Sequence, residues 1–206
     1  MDTNKQGKKP KEKTFTEKAR TKQIIECTID VITEIGYANT SIGKIAQKAN
    51  VSKGVITYHF SDKEELMTGV VVDLYQKAAS FMEKHMQNPD NAIDMLRAYI
   101  VSNLLFIKEN RKHVAAVIEI VTNDRNEQGE LRFAGQEEAI YAPLEEIFQY
   151  GQEVEGTFRS FSKRFMAVML RSAIDAAGYQ LAKNDQFDID LYAEELVTMY
   201  DRATRK

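Results

Sequence analysis

The sequence predicts an all-α protein, and three observations lead to this conclusion. Apolar residues recur at helical spacing along most of the chain. No stretch alternates apolar and polar residues in the manner of a strand, and no Asn-Gly hairpin signal occurs. Serine, threonine and aspartate residues stand where helices would begin, whereas glycines and prolines stand where helices would end.

The first helix is predicted to start after Thr14 and to end at Gly36. Thr14 and Glu17 have the spacing of a capping box, in which each side chain binds the backbone N–H of the other residue. Gly36 follows the last apolar residue of the helical pattern, which is the usual position of a C-terminal glycine. Residues 1–13 are polar and contain five lysines, so we expect a disordered basic arm there.

Two short helices are expected between residues 40 and 59, joined by a tight connection. Thr40 can cap the first of them, and Ser52 can cap the second. Asn50 lies in the connection, and asparagine is one of the few residues that tolerate a left-handed backbone. Val51 and Ile56 are expected to fill the space between the helices. The pattern is typical of a helix-turn-helix, although an ordinary helical hairpin with a solvated polar face has the same spacing.

The remainder of the chain is predicted to be helical as well. A fourth helix should begin at a capping box formed by residues 61–64 and stop near residues 88–90. A polar loop is expected over residues 123–131, and Pro143 should either kink a helix or begin a new one. The other helices are expected at about residues 91–109, 112–122, from the polar loop to 150, 158–179 and 189–202.

Length and composition exclude several classes of protein. Of the 206 residues, 43% are hydrophobic, which is enough to form a hydrophobic core. The length fits one large domain, or a small domain joined to a larger domain. No apolar run approaches the roughly 20 residues that a membrane helix needs, and no apolar segment follows the N-terminal lysines as in a secretory signal. The single cysteine, Cys27, fits a reducing compartment. We therefore expect a cytoplasmic protein without a membrane partner.

Charge is distributed unevenly along the chain. Residues 1–60 hold eleven Lys and Arg against six Asp and Glu, whereas residues 61–206 hold seventeen against twenty-five. A basic head on an acidic body suggests that the head meets any polyanion. The alternative is that the N-terminal lysines only keep a tail solvated.

The second of the two short helices carries side chains suited to DNA. Hydrogen-bond donors, an apolar contact and a glycine that permits close approach are the groups that meet phosphates and base edges in a major groove. The helix presents Lys53, Gly54, Val55, Thr57, Tyr58 and His59.

The segment TSIGKIAQKANVSKG at residues 40–54, followed by YHFSDKEEL at residues 58–66, resembles the DNA-binding domain of the TetR family of bacterial regulators. The resemblance implies a three-helix helix-turn-helix DNA-binding domain at residues 14–61 and a helical effector-binding and dimerisation domain at residues 62–206. It also implies a transcriptional regulator, usually a repressor, that binds a palindromic double-stranded operator as a homodimer and is released by a small effector. A DNA-organising protein without an effector-controlled switch would need the same head.

The resemblance also assigns roles to single residues. Two positions depart from the family pattern, because many relatives have glycine at Asn50 and tyrosine at Thr57. A phosphate contact made by a phenol is therefore weakened or replaced at Thr57, whereas Phe60 is expected in the core. The residues implied to face bases are Lys53, Gly54, Val55 and Tyr58; those implied to face phosphates are Thr57, His59 and Lys63, supported by Thr40, Ser41 and Lys44.

The body offers candidate residues for a dimer interface and for an effector pocket. The helix predicted at residues 158–179 is apolar on several faces, as is typical of a helix between a core and a partner subunit, although a central helix of a monomer has the same pattern. The candidate interface residues are Phe161, Phe165, Ile189, Tyr192, Leu196, Met199 and Tyr200. A pocket for an apolar or aromatic ligand could be lined by residues that are equally typical of a core, namely Met95, Tyr99, Phe106, Tyr141, Phe148, Met166 and Met169.

The sequence contains no constellation typical of an enzyme. His59, His85 and His113 have no metal-ligand spacing with Cys27 or with each other. There is neither a phosphate-binding glycine loop nor a nucleophile elbow. Glu119 falls on a polar helical stripe and is expected to be solvated. We therefore expect no catalysis, no cofactor and no metal.

Overall fold

A computed structural model describes residues 14–86, 89–135 and 138–206, so the basic arm expected at residues 1–13 lies outside the described residues. The described residues form helices with no strand among them, apart from two isolated backbone bridges. This confirms the all-α prediction. In chain order the helices are α1 (Phe15–Ile35), α2 (Ile42–Lys48), α3 (Lys53–His59), α4 (Lys63–His85), α5 (Ala92–Glu109), α6 (Arg111–Asn123), α7 (Glu138–Gln149), α8 (Lys163–Lys183) and α9 (Ile189–Thr204).

The ends of α1 lie where local capping signals place them. The Thr14 hydroxyl accepts a hydrogen bond from the Glu17 N–H at 3.3 Å, and the Glu17 carboxylate accepts one from the Thr14 N–H at 2.7 Å. Gly36 ends the helix with a φ of 80°, a conformation that glycine adopts without a Cβ clash. Both predictions for this helix are confirmed.

The start of α4 differs by one residue from the predicted capping box. Asp62, rather than Ser61, is the N-cap, and its carboxylate accepts from the Glu65 N–H at 2.7 Å. The Glu65 carboxylate in turn accepts from the Ser61 N–H at 2.6 Å. The three-residue spacing therefore joins Asp62 to Glu65. The helix ends at His85, before the stop expected near residues 88–90.

The helices of the body begin and end less predictably. Pro143 lies inside α7 and so does not begin a helix, and α7 continues into a turn of π-helix at Tyr150–Val154. The long helix predicted at residues 158–179 is shifted to Lys163–Lys183. Phe158 instead lies in an extended segment whose backbone pairs with Arg205 at the other end of the chain, and Ser162 caps α8.

Two hydrophobic clusters organise the molecule. The head core joins α1–α4 with Phe106 of α5 and with Ala116, Val117 and Ile120 of α6. The body core joins the rest of α5 with α7, α8 and α9. Helices α5 and α6 therefore connect the two clusters. In the part of the chain that the structure describes, no helix is long and apolar enough to cross a membrane.

Candidate nucleic-acid interface

Helices α2 and α3 are joined by a turn that depends on Asn50. This residue has a φ of 53°, and among the described residues it is the one non-glycine residue with positive φ. The Val51 N–H then donates to the Ala46 carbonyl at 3.0 Å, which closes the turn. Ser52 caps α3 by accepting from the Val55 N–H at 3.3 Å. The predicted left-handed turn and the predicted cap are both confirmed.

The cap of α2 corrects a prediction about Thr40. Ser41, rather than Thr40, caps the helix by accepting from the Lys44 N–H at 3.4 Å. Thr40 is only 4% exposed, and its hydroxyl donates to the Gly36 carbonyl at 2.8 Å. Its hydroxyl therefore closes the turn between α1 and α2 and is not presented to a phosphate.

Packing fixes which face of α3 points outward. Ile56 is fully buried against Ile45 and Ala46 in the head core, and Val51 packs against the edge of that cluster. Phe60 is buried there as well, as expected. The outer face of α3 therefore carries the residues that are predicted to contact DNA. Lys53, Gly54, Thr57 and Tyr58 are exposed, and Val55 and His59 are half-buried.

Two polar contacts tie the outer face of α3 to α1. Tyr58 is 73% exposed, and its phenol hydroxyl donates a hydrogen bond to the Glu17 carboxylate at 2.9 Å. Nδ1 of His59 lies 3.1 Å from the hydroxyl of Thr21. The Thr14 backbone N–H first, and then the Tyr58 hydroxyl, lower the pKa of Glu17 to about 2. The sequence analysis did not identify Glu17 as a partner of Tyr58, because the capping box fixes its place on α1 but not its neighbours on α3.

Lys44 and Lys63, the two lysines outside α3 that are predicted to contact DNA, each donate a hydrogen bond to a backbone carbonyl. The ammonium of Lys44 donates to the Asn39 carbonyl at 2.9 Å, and that of Lys63 donates to the Tyr37 carbonyl at 3.5 Å. Lys63 also lies over the Tyr37 ring, with Nζ 4.3 Å from the ring centroid. Burial lowers the pKa of Lys63, and the carboxylate of Asp124 opposes that effect.

None of the residues predicted to line an effector pocket lines either the small cavity between α5 and α9 or the open groove along α8 and α9. Tyr99, Phe148 and Met166 are buried in the body core, with Met95 and Tyr141 packed against it. Phe106 belongs to the head core instead, and Met169 is exposed on the outer side of α8. Helical periodicity does not reveal which of the two cores a face joins, and the pocket remains a prediction. A cavity between α5 and α9 has a volume of about 10 Å³, enough for one water molecule.

The predicted interface residues divide into two groups. Phe165 and Met199 are exposed, and Phe161 and Tyr192 are half-buried. Ile189, Leu196 and Tyr200 are buried in the body core of their own chain. An open groove of about 490 Å³ runs along α8 and α9 beside Met199.

The positions of the histidine and acidic side chains outside α3 show whether they could hold a metal ion. Across residues 14–86, 89–135 and 138–206, no group of three or more His, Cys, Asp or Glu side chains is arranged to hold a metal ion. Glu119 is exposed, as expected. His113 is buried, with Nε2 3.0 Å from the Val70 carbonyl, a contact that its position at the start of a helix did not indicate.

The capped, outward-facing α3 and the all-helical body together define a helix-turn-helix protein. Residues 24–70 match the family described as bacterial regulatory proteins, tetR family. The transcriptional regulator BetI of Stenotrophomonas maltophilia is 30% identical over 88 residues, which are 42% of this chain and 45% of that protein. BetI of Klebsiella pneumoniae is 38% identical over 55 residues, or 27% of this chain and 28% of that protein. The aligned segments thus span less than half of these relatives.

Solved structures extend the similarity to the body. The fatty acid degradation regulator FadR from Bacillus halodurans superposes with a TM-score of 0.75 at 20% identity, covering 93% of this chain and 97% of that one. The TetR family regulator PfmR from Thermus thermophilus superposes with a TM-score of 0.68 at 20% identity, covering 87% and 94%. At this identity the likeness establishes the fold. The segment at residues 24–70 thus matches the DNA-binding part of the tetR family of bacterial regulatory proteins, and the relatives that it resembles are regulators of transcription.

Proposed function

We propose that this chain is a sequence-specific DNA-binding regulator that represses transcription in the bacterial cytoplasm. The observation that carries the proposal is the outward face of α3. Its apolar side chain Ile56 is buried in the head core, while hydrogen-bond donors and a glycine are exposed on the opposite side. A short rigid helix with this division is suited to enter a major groove.

The proposed roles follow from the position of each side chain. Base edges would be met by Lys53, Gly54, Val55 and Tyr58, which lie on or beside the exposed face of α3. Phosphates would be met by Thr57, His59 and Lys63, with Ser41 and Lys44 at the start of α2. Lys63 opens α4, where free backbone N–H groups also favour a phosphate oxygen.

Tyr58 must exchange partners to reach a base. In the free protein its hydroxyl is held by Glu17, whose carboxylate would repel a nearby phosphate. Binding would therefore release Tyr58 from Glu17.

A homodimer would supply the second α3 needed for a palindromic operator. Large apolar side chains remain exposed along one side of the body, among them Phe165, Met169 and Met199. Burying such a face against a second copy is favourable, because its apolar area leaves water. We propose that α8 and α9 of two copies pack together and set the distance between the two heads.

The effector is proposed to be a small apolar or aromatic molecule that enters the body core. Tyr99, Phe148 and Met166 are buried in that core. A ligand would therefore have to displace side chains, and tightly packed helices respond to added volume by shifting. Helix α4 contacts both α5 of the body and α1 of the head. A tilt of α4 would therefore change the distance between the α3 helices of the two copies in a dimer.

The test is titration of the whole protein against a labelled duplex covering the region upstream of its own gene. We expect a retarded complex at moderate salt that an excess of random duplex does not displace. Equal binding to random and upstream duplexes would contradict the proposal of a sequence-specific regulator. A specific complex that resists every small apolar molecule tested would favour a DNA-organising protein without a switch.

A further inference from the structure

The loop that follows α6 in the body touches the turn between α1 and α2 in the head. Asp124 caps the end of α6 and is only 2% exposed. The hydroxyl of Tyr37, the first residue after Gly36, donates to Oδ1 of Asp124 at 2.7 Å. A buried carboxylate that accepts a phenol hydrogen bond fixes the orientation of both groups, because either would be costly to leave unpaired.

Tyr37 in turn holds the ammonium group of Lys63. Its backbone carbonyl accepts from Nζ at 3.5 Å, and its ring lies beneath the same atom at 4.3 Å. A lysine over an aromatic face gains a cation–π attraction, and its flexible stem loses freedom. Nζ of Lys63 is thus held from two sides by one residue.

The same loop also binds the first turns of α4, which carry Lys63. Nη1 of Arg132 pairs with the Glu64 carboxylate, and Nη2 donates to the Thr68 hydroxyl at 3.0 Å. Nε of Arg132 lies 3.5 Å from Oδ2 of Asp124, and its backbone N–H donates to the Asp124 carbonyl at 3.0 Å. The loop therefore contacts both α4, which carries Lys63, and Tyr37, which holds the Lys63 ammonium.

We propose that Tyr37 and Asp124 are positioning residues for Lys63, through which the body sets the phosphate contact of the head. Asp124 acts through Tyr37, and Tyr37 places the ammonium before DNA arrives. Any displacement of the end of α6 moves Asp124 and so loosens Lys63. The inference rests on the proposed DNA binding and adds a second route from body to head, separate from the tilt of α4.

A double-mutant cycle with the whole protein tests the first step. Affinity for a random-sequence duplex and for the upstream duplex is measured against salt for the wild type, Tyr37→Leu, Lys63→Ala and the double variant. Lys63→Ala is expected to lower the salt slope by about one unit. Tyr37→Leu is expected to weaken binding roughly three- to tenfold when Lys63 is present, and to have no further effect in Lys63→Ala.

The second step is tested at Asp124. Asp124→Ala is expected to weaken binding as Tyr37→Leu does, whereas Asp124→Asn, which keeps an oxygen acceptor for the tyrosine, is expected to restore most of the affinity. Tyr150→Leu, at an exposed tyrosine of the body, is the matched control and should bind like the wild type. Far-UV circular dichroism verifies that each variant is folded. If Asp124→Ala unfolds, Tyr37→Phe carries the test, because it keeps the ring over Lys63, removes the hydroxyl that binds Asp124 and is expected to weaken binding; affinity equal to that of the wild type would overturn the role of Asp124.

The outcomes separate this inference from the proposed function. If the wild type binds neither duplex, the proposed function itself fails. If the wild type binds and Lys63→Ala lowers the salt slope, but Tyr37→Leu costs the same affinity with or without Lys63, then Tyr37 has only a structural role. That result would overturn the positioning of Lys63 and leave the proposed function intact.

Discussion

Asn50 occupies a backbone conformation that most side chains avoid. Its φ of 53° lies in the left-handed region, where a Cβ approaches the following carbonyl oxygen. Asparagine tolerates this region, and glycine tolerates it better. The angle between α2 and α3 therefore depends on one residue.

Substitution at Asn50 should affect stability according to the cost of this conformation. We expect Asn50→Val to lower the free energy of unfolding by about 1–2 kcal/mol, because a β-branched residue is strained at positive φ. Asn50→Gly is the matched control and should stay within about 1 kcal/mol of the wild type. Urea denaturation followed by circular dichroism gives both values. Equal stability of the two variants would show that the turn does not depend on its φ.

His113 links α6 to α4 through a buried imidazole. Nε2 donates to the Val70 carbonyl at 3.0 Å, so in the neutral ring Nδ1 carries the lone pair. Nδ1 lies 3.8 Å from Oδ2 of Asp73, which is itself paired with Lys77. Burial is the main reason that the pKa of His113 is below its ordinary value; Lys77 lowers it further, whereas the Val70 hydrogen bond and Asp73 oppose the shift.

The lowered pKa of His113 predicts that stability falls as the solution becomes acidic. The folded protein binds this proton less readily than the unfolded chain, so the stabilising contribution is complete above the unfolded pKa of about 6.5 and declines as the pH falls towards the folded pKa. We expect His113→Gln, which keeps an N–H donor, to reduce the loss of stability between about pH 7 and pH 5. His85→Gln, at an exposed histidine, is the control. Identical pH profiles for wild type and His113→Gln would contradict this account.

At the scale of helices, the sequence predicts ends that local contacts decide. The Thr14–Glu17 box, Ser52 and Asn91 each bind a backbone N–H within their own first turn, so their helices begin where the sequence indicates. The start of α8 is different. Phe158 has helical spacing to Phe161 and Phe165, but the Arg159 N–H donates to the Thr204 carbonyl at 2.9 Å, a contact between distant parts of the chain that no local pattern contains.

The outer face of α8 and α9 yields a prediction about assembly. Phe165 is 71% exposed although it is large and apolar, which is costly unless a partner covers it. We expect Phe165→Glu to raise the dimer dissociation constant roughly tenfold or more, because the carboxylate would be buried without a partner. Val72→Glu places the same charge on an exposed position of α4 and should leave the dimer unchanged. Sedimentation velocity distinguishes the two, and equal dimer fractions would exclude Phe165 from the interface.

At the scale of the whole molecule, the exposed face of α3 could be predicted from the sequence better than the packing of the body could. The residues proposed to contact bases all lie on the short helix α3. The burial of Ile56 on one side of α3 therefore determines which way these residues face. Interface and pocket residues depend instead on how long helices pack. Leu196 and Met199 are three residues apart on α9, yet one is core and the other is exposed. Helical periodicity identifies an apolar residue but not the surface it meets.

The head core crosses the boundary that the sequence suggests between domains. A boundary at residue 61 separates α1–α3 from Leu66, Met67 and Val70 of α4, which are fully buried in the head core. Ala116, Val117 and Ile120 of α6 complete the same cluster. The first three helices alone would therefore expose much of the apolar surface that stabilises them, and short helices are marginal in water without such packing.

A fragment of residues 14–61 is therefore expected not to fold independently. Far-UV circular dichroism should show little helix for the fragment and no cooperative thermal transition, whereas the whole chain should unfold cooperatively. Within the whole chain, Ile120→Ala should destabilise the protein by about 2–5 kcal/mol and weaken DNA binding, although Ile120 lies far along the sequence from α3. A cooperative transition in the isolated fragment would show that the head folds without α4 and α6. In that case coupling between body and head would have to rest on polar contacts, such as that between Tyr37 and Asp124, rather than on a shared apolar core.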